Sequence, residues 1–187
     1  MSLRTTVASL AATALMLSAC GGESSDPDKS PSSASSALST ETAAGAAECA
    51  SADLTRTASE LGVDKLEPDI VGEAGADESC TFMSPGVEVV ISADYLSAET
   101  DVAHEVDNEI GGREVSSSEP EFGGQPGHLI VNADEQAQML LVTTFVELAD
   151  GRVLRVRGQN SAGPAGDATA KLEAAITNLT ADLAGAG

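Results

Sequence analysis

The sequence predicts an α+β domain: a largely antiparallel sheet with about three helices packed on one face. Three observations carry this. Apolar stripes at helical spacing occur at three separate places. Between them lie short apolar runs at period two. Turns bearing Gly or Pro punctuate those runs. The order is helix, strands, helix, a strand meander, helix, within residues 48–187.

The first helix is expected over Ser51–Leu61, "SADLTRTASEL", with Leu54, Ala58 and Leu61 on one face, Ser51 as N-cap and Gly62 as stop. A polar, Gly-containing stretch follows to Ser79, and Thr81–Ser84 reads as a short strand before the Pro85-Gly86 turn. Val87–Tyr95 carries Val87, Val89 and Ile91 at period two and reads as a strand. Ser97–Ile110 is the second helix. Ser97 caps it, acids fill its first turn, and Val102, Val106 and Ile110 form its stripe before Gly111-Gly112.

A strand, a Gly/Pro loop and a further strand at His128–Ala133 come next, followed by the most apolar strand, Gln138–Leu148. It is joined to Arg152–Gln159 through Ala149-Asp150-Gly151. A two-residue turn would set Val146 opposite Arg155. A three-residue loop with left-handed Gly151 sets Val146 opposite Leu154 and Thr144 opposite Val156. The second register gives the cleaner apolar face and is the one expected. Asp167–Leu183 is the clearest helix, with Leu172, Ile176, Leu179 and Leu183 in one stripe.

Residues 1–19 have the form of a secretory signal. Arg4 supplies a positive charge, and the apolar run Val7–Leu17 is too short to span a bilayer, which takes about 20 residues. Leu17-Ser18-Ala19-Cys20 has the form of a bacterial lipobox. The expectation is cleavage before Cys20 and lipidation of its thiol with acyl chains such as palmitate, the anchor needing more than one chain to hold. Residues 20–47 are rich in Ser, Ala, Gly and Pro with a single large apolar residue, Leu38. Such a segment cannot offset its ordering entropy by burial and reads as a tether, with a reach of roughly 30 Å. Localisation on the outer face of a plasma membrane follows.

The net charge is −21. All the acids and eight of the nine bases lie at or beyond Cys20. An acidic surface repels phosphate backbones, so nucleic acid is not an expected partner. It repels anionic head groups too, so membrane attachment falls to the lipid. With Cys20 acylated, Cys49 and Cys80 remain. In an exported domain such a pair is most simply a disulfide, closing a loop of about 32 residues worth roughly 3–4 kcal/mol; two free buried thiols are the alternative.

The chain resembles a family of actinobacterial envelope lipoproteins catalogued as a domain of unknown function. The resemblance lies in the lipobox at Cys20, the tether, "CASADLTRTASELG" at Cys49–Gly62, and "CTF" at Cys80–Phe82. It implies an α+β domain with a Cys49–Cys80 disulfide, and no known enzyme activity. Phe82 stands where the second motif usually has Trp or Tyr.

Chemistry is sparse in the sequence. His104 lies on the second helix within three residues of Asp101 and Asp107, and the plainer account is an exposed helix-face histidine. Gln125 and His128 belong to "GGQPGH", a loop able to present backbone amides to a ligand, or simply a turn entering a strand. No catalytic set, metal site or cofactor motif assembles from these residues. Arg152, Arg155 and Arg157 cluster on one strand as a candidate anion or partner patch; cross-strand pairing with Glu147 is the plainer alternative. The expected function is a lipid-anchored, non-enzymatic interaction domain with an envelope protein as partner. The alternative is binding of a small molecule or lipid, its ligand small and apolar.

Overall fold

A computed structural model describes residues 52–69 and 76–185. The signal segment, Cys20, the tether and Cys49 lie outside the described residues. The described chain runs α1 (Leu54–Leu61), β1 (Glu67–Asp69), β2 (Ala76–Met83), β3 (Val89–Leu96), α2 (Val102–Ile110), β4 (Ser116–Ser118), β5 (Glu121–Phe122), β6 (Gln125–Asp134), β7 (Met139–Glu147), β8 (Val153–Asn160) and α3 (Ala168–Gly185). The sheet order is β1-β2-β3-β8-β7-β6-β4, with β5 paired to β6, and every pairing is antiparallel. The α+β class read from the sequence is the class observed.

The β7–β8 register is the one the patterning selects. Val146 faces Leu154 and Thr144 faces Val156. Leu148 N–H donates to the Arg152 carbonyl (2.8 Å), leaving Ala149-Asp150-Gly151 as the loop, and Gly151 has φ +87°.

One face of the sheet is covered by α3. Leu172, Ile176, Leu179 and Leu183 pack against Ile91, Val142, Val146, Leu154 and Val156 in a single cluster. Each of these helix side chains contributes about 1.5–3 kcal/mol relative to exposure. Gly158 is the notch that admits the helix, because a Cβ there would lie 2.6 Å from Ile176 Cδ1. Within this apolar layer the Thr180 hydroxyl donates to the Ile176 carbonyl (2.7 Å) and accepts from Thr144 (2.8 Å), so neither is left unpaired. Helix α1 packs on α3, clipped by Arg56 to Asp182 and by Asn178 Nδ2 to Glu60 (2.8 Å).

The expectation of all helices on one face is corrected. Val102, Val106 and Ile110 of α2 pack on Leu96, Ile130, Phe145 and Val153, which point away from α3. The cause is topological. Strand β3 lies inside the sheet and β4 at its far edge, so the connection must cross β8, β7 and β6, and α3 occupies the other face. Strands β6–β8 are therefore covered on both sides, which is why β7 has apolar residues pointing to both faces and an unbroken buried run from Val142 to Val146.

Boundaries shift where capping chemistry is stronger than the sequence pattern showed. Asp53, not Ser51, caps α1, its carboxylate accepting from Arg56 N–H at 3.0 Å. Asp101, not Ser97, caps α2, accepting from His104 N–H at 3.2 Å, while Ser97 closes a turn to Thr100. Strand β3 begins at Val89, because Val87 sits in the turn with φ +59°. Strand β1 and the first half of β2 fall in the stretch read as irregular.

Two substitutions test this architecture. Gly151→Val forces a β-branched residue into left-handed backbone and is expected to cost about 1–2 kcal/mol in urea unfolding. Gly158→Ala drives a methyl into Ile176 and is expected to cost about 1–3 kcal/mol. Unchanged midpoints would contradict the register and the notch respectively.

Candidate functional site

The α2 face carries the chemistry of the domain. Register places two polar rows across it. The first is Ser79, Asp94, Arg155, Phe145 and His128; the second is Thr81, Ser92, Arg157, Thr143, Ile130 and Ser117. These rows put charge on a face that α2 largely closes.

The three arginines are internally neutralised and form no free cationic patch. The Arg155 guanidinium donates from Nη2 and Nε to Asp94 Oδ2 at 2.9 and 3.2 Å, with Asp94 fully buried. Ser79 Oγ donates to the other Asp94 oxygen at 2.6 Å. Arg157 Nη2 donates to Glu109 Oε2 of α2 at 2.7 Å and ties the helix to β8. Arg152 Nε donates to Asp150 Oδ2 at 2.7 Å, its Nη1 lies 3.8 Å from Glu78 Oε2, and its Cζ is 5.0 Å from the Tyr95 ring centroid. None of these carboxylates is Glu147, which was the expected partner. Asp94 is the residue that sequence reasoning missed. Its signal was an acid interrupting an apolar strand, but β3 and β8 are far apart in sequence, so their register was not legible.

Backbone and side-chain N–H groups of Arg152 hold the Asp150 carboxyl below its ordinary value of 3.8. A depressed carboxyl favours the folded state above its unfolded pKa, and that contribution fades as pH falls through the lower folded pKa.

His128 lies where two open grooves meet. One, of about 480 Å³, is lined by Val102, Glu119, Glu121, His128, Phe145 and Glu147 among others. The second, of about 410 Å³, is lined by Val106, Ser117, Ser118, Glu119, His128 and Ile130. His128 Nδ1 is 3.9 Å from Glu119 Oε1, whose side chain is 81% exposed. Gln125 starts β6 and pairs with Phe122 without lining either groove. His104 is exposed on α2. Among the described residues no group of three or more His, Cys, Asp or Glu side chains is placed to hold a metal. The grooves thus offer an apolar floor, a glutamate rim and one histidine.

Cys80 is disulfide-bonded and buried on the α3 side of the sheet. Cys49, its expected partner, lies outside the described residues.

Asp94→Asn replaces the carboxylate that accepts from Arg155 Nη2 and Nε with a neutral amide and is expected to cost about 1–3 kcal/mol in urea unfolding. A loss under 1 kcal/mol would show that Arg155 is compensated elsewhere. By NMR titration Asp150 should have a midpoint below 3.8 that rises in Arg152→Ala; an unmoved midpoint would assign the depression to another group.

No protein-family model matches the chain, and no curated protein matches its sequence.

Proposed function

We propose that the chain is an extracytoplasmic bacterial lipoprotein, held by lipid on Cys20 to the outer face of the plasma membrane. Its domain recognises an envelope partner without catalysis. The observation that carries recognition is the contrast between the two sheet faces. The α3 face is filled by side chains at most 2% exposed along the helix stripe Leu172, Ile176, Leu179 and Leu183. The α2 face opens into the two grooves joined at His128 and Glu119. The carboxylates of Glu119, Glu121 and Glu147 around Val102 and Phe145 suit a basic or polar protein segment better than an apolar small molecule.

Export is supported by the disulfide at Cys80, since such bonds persist in oxidising compartments. We assign its partner as Cys49, because acylation occupies the Cys20 thiol.

Cys20→Ser should move the protein from the membrane to the soluble fraction; retention on the membrane would remove the anchor. Non-reducing peptide mapping should recover a Cys49–Cys80 peptide, and a Cys20–Cys80 peptide would overturn both lipidation and the pairing. A photo-crosslinker at Glu119 in the native host should yield one defined adduct that a crosslinker at Lys171, on the α3 side, does not. Adducts equal at both positions, or none at Glu119, would reject the α2 face as the recognition surface.

A further inference from the structure

Beneath α2 three polar atoms are buried without a hydrogen-bond partner: Asn132 Nδ2, Thr143 Oγ1 and Arg157 Nε. Thr143 is 1% exposed and Asn132 5%. Orphaned polar atoms at such depth each cost about 1–3 kcal/mol and are rare without a purpose. These three share one face of three adjacent strands. Thr143 lies directly opposite Arg157 on β8 and opposite Ile130 on β6, and Asn132 is one step further along β6 on the same face. Opposed side chains have Cβ atoms about 5 Å apart. The register thus brings Thr143 and Arg157 side by side, with Asn132 on the adjoining diagonal, as one shared acceptor would require.

All three can donate, and Asn132 Nδ2 and Arg157 Nε can only donate. The missing partner is an acceptor. Its charge follows from the surroundings. The Arg157 charge is already matched by Glu109, whose side chain is only 10% exposed. Arg113, 44% exposed, reaches the same Glu109 at 4.0 Å from solvent. A buried anion would sit beside Glu109, and the second cation there, Arg113, is half exposed and its charge is screened by solvent, in a chain of net charge −21. A neutral carbonyl oxygen meets the same donors without that cost.

Access is built in. Ile130 lines the groove with Val106, Ser117, Ser118, Glu119 and His128, and it is the direct neighbour of Thr143. Helix α2, which closes the other side, has no buried residue, and its end is followed by Gly111 and Gly112, both left-handed. A ligand would therefore enter by a shift of this helix about its tie from Glu109 to Arg157.

We propose that the space between α2 and strands β6–β8 is a binding site for a neutral amide group, received by Asn132, Thr143 and Arg157. The proposal deepens the reading of the α2 face as the recognition surface and rests on it, but not on the lipid anchor.

The test is an NMR titration of the ¹⁵N-labelled full chain with N-methylacetamide, using acetate as the charged counterpart. The amide should produce saturable shifts at the Asn132 side-chain N–H₂, Thr143 N–H and Arg157 Nε–H, and acetate should bind at least fivefold more weakly. Thr143→Val should abolish the response while raising Tm by a few degrees, because it removes an unpaired buried hydroxyl without changing shape. Asn132→Leu is the second variant and should also lose the response. No saturable shift with the amide, equal binding of acetate, or a full response in both variants would overturn the site. Exchange of these protons with ordered water alone, unaltered by the amide, would overturn it as well. Crosslinking at Glu119 reports on the recognition surface separately, so a silent titration with a positive crosslink would reject this site and leave that surface standing.

Discussion

The faces of the two central strands are fixed by the three-residue loop at Ala149–Gly151. With Gly151 in left-handed backbone, Val146, Leu154 and Val156 turn to α3, and Thr143, Phe145, Arg155 and Arg157 turn to α2. A slip of one residue would carry two guanidinium groups into the apolar layer against Leu172 and Ile176. The energy scale of that error, about 3–5 kcal/mol for each uncompensated buried charge, is a large part of the whole stability of most domains. The loop therefore selects one fold from the alternatives that the same apolar pattern allows.

The polar face then depends on this register for its own satisfaction. Asp94 reaches Arg155 because β3 pairs with β8 in step, and Glu109 reaches Arg157 because α2 crosses above β8 on its way to β4. Both pairs are partly or wholly withdrawn from water. A buried pair of this kind adds little net stability compared with apolar side chains, but a wrong register would leave each charge alone. Here the pairs act as a check on strand order.

Much of the framework was legible in the sequence because it is local. The α3 stripe, the glycine stops after α1 and α2, and the β7–β8 register all rest on residues within a few positions of one another. The placement of α2 was not legible, since it depends on β4 pairing with β6 rather than with β3. A sign was present: β7 has apolar residues at both parities, as a strand covered on both faces must. The arginine cluster was visible, but its partners were not. Asp94 and Glu109 lie 61 and 48 residues from the arginines they meet. The orphaned atoms of Asn132 and Thr143 had no clear sequence signal, because Thr is an ordinary strand residue and Asn132 falls where the apolar run of β6 gives way to polar residues.

The notch at Gly158 has a consequence for how such a domain can vary over time. Because Ile176 fills the place of the missing Cβ, with Leu172 beside it, a larger residue at 158 requires a smaller one at 176. On the α2 side no residue of the helix is buried, and Glu109 ties it to Arg157 by an ion pair rather than by close packing. Substitutions on α2 are thus less constrained by packing than substitutions along the α3 stripe.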